Sequence, residues 1–267
     1  MLAHELSFLI IQGHRIEYEL IPGTDPRGPM MVFLHEGLGS LAMWKDFPSR
    51  CVRATGCGAL VYSRYGYGQS DPLEGPRGVD FMHDEGLKML PELLDKLGIE
   101  QPILFGHSDG ASIALIHAGG AGRAVGGLIL MAPHVMVEDI GIRSIEAAKR
   151  NYETTDLRDK LGRYHSHPDS AFWGWNDIWL HPDFRAWNIE EFLPRIHCPV
   201  LAIQGENDEY GTMEQIERIT RVIAGVELLK LKDCRHSPHR EKAEAVIERV
   251  VQFVEGIRND HVKQHHY

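Results

Sequence analysis

The sequence predicts an α/β fold, with a mostly parallel central sheet, helices on both faces and a helical insertion late in the chain. Three observations carry that expectation. Short, continuous apolar runs such as Met30–Leu34 recur along the chain, the pattern of strands buried on both faces of a parallel sheet. Helical segments separate these runs, which implies right-handed crossovers between parallel neighbours. Between Pro133 and Pro199 the alternation stops, and no buried strand can be placed.

The elements follow in order. Leu6–Ile11 and Ile16–Leu20 read as strands around the turn Gln12-Gly13-His14, an opening hairpin. Met30–Leu34 and Ala59–Tyr62 are the next two strands, and Val79–Leu97 is patterned as a helix despite Pro91. Pro102–Phe105 is a strand, Ala111–Ala118 a helix, and Leu128–Met131 and Val200–Ile203 are strands. Thr212–Val222 reads as a helix, Val226–Leu231 as the last strand and Glu241–Ile257 as the closing helix. Within the interruption, Arg143–Arg150, Leu157–Tyr164 and Ile189–Ile196 read as short helical segments. The expected division is a core of residues 1–132 and 199–267 with a helical cap or lid of residues 133–198 inserted in it. The His-rich tail, His261 to Tyr267, is expected to fray.

Composition narrows the function. The 267 residues include 38 acidic and 28 basic side chains, a net charge of −10, with 43% hydrophobic and 25% charged residues. That balance is ordinary for a globular protein and excludes disorder and collagen-like fibres. A chain of this length buries a core without disulfides or metals. Its acidity, with no five-residue run of Lys and Arg, gives no reason to expect a nucleic-acid partner. No window reaches the roughly 18 apolar residues of a membrane span. The start, MLAHELSFLIIQGHR, lacks the basic opening and small-residue cleavage site of a secretory leader. Cys51, Cys57, Cys198 and Cys234 form no C-x-x-C pair, which fits a reducing compartment and an expected cytoplasmic location.

The strongest chemical signal is Gly106-His107-Ser108-Asp109-Gly110. It matches G-x-S-x-G and sits between a strand and a helix, the context in which such a turn presents its serine hydroxyl. The following helix places amide N–H groups, and the positive end of its dipole, beside a developing oxyanion. A serine hydroxyl needs a base, and the base an orienting acid. Asp208 lies a few residues after Val200–Ile203, and His236 lies in the loop after Val226–Leu231. Ser, Asp, His is the chain order that accompanies this elbow, with each residue at the carboxyl end of a strand. Glu206 and Glu209 compete with Asp208 for the acid role, and His239 with His236 for the base. No H-E-x-x-H and no C-x-x-C calls for a metal, and the Gly-Tyr-Gly at Gly66 lacks dinucleotide or Walker spacing. No cofactor is expected.

Taken with Leu34-His35-Glu36-Gly37-Leu38-Gly39-Ser40, Ser63-Arg64-Tyr65-Gly66-Tyr67-Gly68-Gln69-Ser70, Gly-Glu-Asn-Asp at Asp208 and His-Ser-Pro-His at His236, the elbow resembles the α/β-hydrolase superfamily. The resemblance covers essentially the whole chain. It implies a serine carboxylesterase-like hydrolase with oxyanion donors at Gly37 and Asp109. Glu36 departs from the glycine that many members carry, so the first donor is residue 36 or 37. His35 and His107 would support the oxyanion loop, and His83, His165, His167 and His181 would lie on surfaces or in the lid. Ser rather than Asp at the elbow argues against dehalogenase and epoxide-hydrolase chemistry.

The expected reaction is hydrolysis of small to medium, partly hydrophobic carboxylic esters through an acyl-enzyme on Ser108. The alternatives with the same triad are carbon–carbon bond, lactone, thioester or aminoacyl-ester hydrolysis, and from another class a non-catalytic ligand-binding member of the fold. The Ser-Asp-Gly elbow is locally similar to valacyclovir-hydrolase-like members, which act on amino-acid esters. Asp109 thus has two readings, as anchor for a substrate cation or as a residue that steadies its helix N-terminus. Trp173, Trp175, Trp179 and Trp187 fall in the insertion, and the first three, with Glu36, are candidates for the substrate pocket. Their other reading is the small core of the lid.

Overall fold

In the computed structural model the strands that sequence marks as apolar throughout are those buried on both faces. The structure describes residues 6–24 and 28–264, the last five by their backbone alone. In chain order the elements are β1 (Ser7–Ile11), β2 (His14–Ile21), β3 (Met30–Leu34), α1 (Phe47–Thr55), β4 (Gly58–Tyr62), α2 (Phe81–Asp84), α3 (Leu90–Lys96), β5 (Ile103–His107), α4 (Asp109–Gly120) and β6 (Gly127–Met131). Three helices follow, α5 (Asp139–Thr154), α6 (Leu157–Leu161) and α7 (Pro168–Trp179). Then come β7 (Val200–Gly205), α8 (Glu214–Val222), β8 (Glu227–Leu231), α9 (Pro238–Glu241) and α10 (Ala243–Gln264).

The eight strands form one sheet in the order β1-β2-β4-β3-β5-β6-β7-β8, antiparallel at β1, β2 and β4 and parallel from β4 onward. Successive side chains of a strand point to opposite faces, so each apolar run feeds two cores. Val32, Leu34, Leu104 and Leu128 join one with α2, α3 and α4, while Phe33, Phe105, Ile129 and Ile203 join the other with α1 and α10. The edge strands β1 and β8 alternate between covered and exposed positions instead. The opening hairpin closes with Ile11 paired to His14, so the turn is Gln12-Gly13, both at positive φ as a two-residue hairpin turn requires.

Several boundaries differ from expectation for local physical reasons. The helix expected at Val79–Leu97 is α2 and α3 joined by a π turn at Glu85–Met89. Pro91 has no N–H and its ring displaces the preceding carbonyls, so the helix widens just ahead of it. The closing helix is two, α9 and α10, and α10 continues to Gln264 where fraying was expected; residues 265–267 of that tail, and residues 1–5, lie outside the described residues. Two helices were not foreseen. α1 follows Pro48 in its first turn, and α7 carries three of the tryptophans. Of the segments expected in the insertion, Ile189–Ile196 is a 3-10 turn, Glu190–Arg195. Among the described residues no helix is long and apolar enough to cross a membrane.

The parallel order delivers the loops after β3, β5, β6, β7 and β8 to one edge of the sheet. Two glycines make the tightest approach there possible. A Cβ on Gly110 would overlap the Leu34 carbonyl oxygen of β3, and one on Gly106 would overlap the Ala111 backbone. Gly110→Ala is therefore expected to cost on the order of 3 kcal/mol, since the obstruction is backbone. Gly256→Ala, in exposed α10 with nothing within 4 Å of the new methyl, should gain about 0.5–1 kcal/mol. Urea unfolding of both variants checks the contrast, and equal shifts would contradict the steric account.

Candidate active site

The turn from β5 into α4 is strained at Ser108. Ser108 sits at φ 53, ψ −119, between the end of β5 and the first residue of α4. Few non-glycine residues adopt a positive φ. It is held by Ser108 N–H donating to the Met131 carbonyl of β6 at 2.9 Å. The hydroxyl stands above the carboxyl edge of the sheet.

There it meets His236. His236 Nε2 is 2.9 Å from Ser108 Oγ, and its Nδ1 is 2.9 Å from both carboxylate oxygens of Asp208. Asp208 also accepts from the Tyr210 amide at 2.8 Å and the Gln204 side-chain amide at 2.8 Å. Burial works against its charge, but the His236 ring and these donors hold its carboxyl below the usual carboxylate range. For His236 burial disfavours the cation, and Asp208 outweighs it, so the pKa is raised. Neither competing carboxylate takes this place: Glu206 is exposed, and Glu209 pairs with Arg235 at 2.9 Å. His239 packs among Trp44, Phe47 and His107, with its pKa pushed well down by burial.

The loop after β3 closes the other side. Fully buried Arg64 donates from Nη2 to the Glu36 carbonyl at 2.9 Å and the His35 carbonyl at 3.3 Å. The Arg64 amide donates to His35 Nε2 at 3.0 Å, so the Nδ1 of His35 carries the proton given to the Glu36 carbonyl at 2.7 Å. The amides of Gly37 and Asp109 have no backbone acceptor among the described residues. A Cβ at Gly37 would overlap the Trp175 indole. Burial opposes ionisation of Glu36, yet His107 at 3.4 Å and Arg240 at 3.6 Å keep its carboxyl well below the ordinary value.

These groups line a cavity of about 180 Å³ with Ser108, Asp109, His134, Trp175, Trp179, Glu209 and His236 in its wall. Among the described residues no three His, Cys, Asp or Glu side chains are grouped to hold a metal ion.

Residues 31–249 match the alpha/beta hydrolase family. The chain belongs to that family. A 2-hydroxy-6-oxononadienedioate/2-hydroxy-6-oxononatrienedioate hydrolase of Pseudomonas putida is 24% identical over 254 residues, 84% of this chain and 87% of that protein. Among solved structures, a bacterial membrane phospholipase A superposes with a TM-score of 0.77 at 18% identity, over 96% of this chain and 87% of that one. The enol-lactonase of Burkholderia xenovorans LB400 gives 0.73 at 19% identity, over 93% and 100%.

This alpha/beta hydrolase places its sequence-selected residues unevenly. Ser108, Asp208 and His236 come together, and Glu36, Gly37, Asp109, Trp175 and Trp179 line the same cavity. Trp173 does not: it lies in a separate groove with Leu73, Arg77 and His181, because on a helix it faces away from Trp175 and Trp179. Neither Asp109 oxygen has a hydrogen-bond partner among the described residues. Burial raises its pKa, opposed by Arg64 and the nearby Trp179 indole. His165 is no surface residue. It is buried, accepts from the Gly68 amide at 2.9 Å and donates to the Leu38 carbonyl at 3.1 Å, pinning the segment between β6 and β7 to the loop after β3. His107, as expected of a support, bridges Glu36 and the His236 carbonyl, the latter at 2.7 Å.

Sequence reasoning passed over His134, whose Nε2 is 3.4 Å from Ser108 Oγ. Its position directly after a buried strand was the available signal. Burial, then the neighbouring His236, press its pKa down to about 3. In an NMR titration His236 is expected to hold its proton above the ordinary histidine value, about 6.5, while His134 stays neutral down to about pH 3. Removing the Asp208 charge withdraws the principal raising influence, so Asp208→Asn should lower the His236 value. An unchanged His236 value in that variant would contradict the assignment.

Proposed function

We propose that this hydrolase cleaves small carboxylic esters through an acyl-enzyme on Ser108. The observation that supports the reading best is the Ser108–His236–Asp208 relay opening into a cavity that two unengaged amides, Gly37 and Asp109, also border. Ser108 Oγ attacks the ester carbonyl as His236 Nε2 takes its proton. The carbonyl oxygen, now negative, is received by the two amides. His236 returns the proton to the leaving alcohol, and then activates the water that releases the acid. Asp208 keeps the imidazole oriented and favours its protonated form. The helices of residues 133–198 serve as a lid whose Trp175 and Trp179 form the apolar wall.

Charge favours an ester over the doubly anionic substrate in the name of the Pseudomonas relative. Glu36, Asp109 and Glu209 face the cavity, and among the described residues no Lys or Arg lines it. A dicarboxylate there would meet like charges in a low dielectric. A second reading follows from Asp109 itself. Its buried carboxylate, with no hydrogen-bond partner among the described residues, lies next to the nucleophile and suits an ester bearing an ammonium group, as in aminoacyl esters.

A panel of neutral esters, aminoacyl esters, lactones, thioesters and dicarboxylate ring-cleavage products tests both. Short esters should turn over fastest, and Ser108→Ala should lose a thousandfold or more, on the order seen when a triad serine is removed. Full activity in that variant would end the acyl-enzyme reading. Asp109→Asn should lose about tenfold or more on aminoacyl esters with neutral esters little changed. Equal loss on both would leave Asp109 a purely internal charge.

A further inference from the structure

We infer that His134 is a second catalytic imidazole, a hydrogen-bond donor that stabilises the Ser108 oxygen while it carries charge. The inference rests on Ser108 being the nucleophile. Ser108 has one hydroxyl proton, and the shorter approach assigns it to His236, 2.9 Å away. The second imidazole nitrogen on the same oxygen, His134 Nε2 at 3.4 Å, then makes a hydrogen bond only as the donor.

The backbone is organised to deliver that ring. Ala132, the residue at the end of β6, has φ 47, a left-handed conformation that alanine seldom takes. Its N–H is fixed to the Ile203 carbonyl at 2.8 Å. Two residues on, the His134 amide donates to Ser112 Oγ at 3.1 Å, and Ser112 Oγ donates to the His134 carbonyl at 2.6 Å. The Val135 amide is held by Gln215 Oε1 at 2.8 Å. Ser112 lies one turn beyond Ser108 on α4, so one helix anchors both the nucleophile and the second imidazole. The Trp179 indole meets the ring edge-to-face, with centroids 5.1 Å apart, and the ring itself lines the catalytic cavity.

Chemistry follows from what this ring does not do. Buried and neutral, it neither takes nor gives a proton in the cycle. When the Ser108 proton passes to His236 Nε2, negative charge grows on Oγ, and the His134 Nε2–H meets it. As the new C–O bond forms the charge moves on to the carbonyl oxygen. In deacylation the order reverses, and Oγ leaves with the same donor beside it. A cation at this place would repel the His236 imidazolium, whereas a neutral donor does not.

The probe is a fluorophosphonate, whose capture by Ser108 reports nucleophile activation without knowledge of the substrate. Labelling rates are compared for wild type, His134→Gln, His134→Phe and His134→Ala, with thermal unfolding recorded for each. A hydrogen bond to a developing charge of this kind predicts labelling slower by about tenfold to a hundredfold in His134→Ala and His134→Phe. His134→Gln, which keeps a side-chain N–H, should recover most of that rate. Phe fills the ring's space and serves if the alanine variant fails to fold. Phe and Ala labelling as fast as wild type, or Gln as slow as Phe, would overturn the role of His134 alone. A wild-type protein that took no label at Ser108 would overturn both this role and the acyl-enzyme reading beneath it.

Discussion

The first turn of α4 sits against the backbone of β3 more closely than any side chain allows, and the rest of the site depends on that approach. Gly110 lies over the Leu34 carbonyl and Gly106 under Ala111. With both side chains missing, the bend from β5 into α4 is made in a single residue, and that residue is Ser108 at positive φ. The glycines therefore act by leaving space; the strained conformation falls on the serine between them. Because α4 abuts β3, the loop after β3 is carried directly over the hydroxyl. Because Ser108 N–H is tied to Met131, the end of β6 is brought up on the opposite flank. The Gly37 amide and His134 thus come to the surroundings of Ser108 from two sides.

Around this bend the protein buries an unusual number of imidazoles and separates them by their partners. His35 donates to one carbonyl and accepts from one amide, and burial then Arg64 hold its pKa well down. His165 is likewise an acceptor at one nitrogen and a donor at the other. His236 alone faces a buried carboxylate with full contact, and its pKa moves up. Beneath them lies Arg64, stripped of water, with Nε and Nη1 unpaired and its plane over Tyr67 at 4.7 Å. Glu85 and Asp109 are its counter-charges, and burial raises the pKa of both carboxyls against the pull of that guanidinium. Such a cluster is sustained by mutual compensation, since each charge alone would be too costly to bury.

How much of this was legible from residues alone divides along the range of the forces involved. Strands buried on both faces advertise themselves locally, and β3, β4, β5, β6 and β7 were readable to within a residue or two. The elbow was readable because glycines bracket the serine. Helix α7 was not, since its aromatics and Gly174 have weak helical preference, and tertiary packing such as the Tyr152–Phe172 stack at 3.8 Å decides its form. Trp173 and Trp175 look equivalent in sequence, and only the helical rotation sends one outward. His134 was hidden by Ala132, because left-handed alanine leaves no compositional trace. His165 was hidden because its partners, Gly68 and Leu38, are distant in the chain and are backbone groups.

The charge of the cavity connects these features. Asp208, Glu209 and Glu36 all favour protonated His236, and in the proposed reaction that imidazolium forms as the tetrahedral intermediate forms. The carboxylates that make the cavity inhospitable to anions therefore also stabilise the charge that develops on the base. Stabilising it too well would leave His236 protonated in the resting enzyme and unable to act. The opposing influence is burial of the ring. Burial also holds His134 and His239 below the ordinary histidine value, so neither adds a charge beside the base. They supply polarity without net charge.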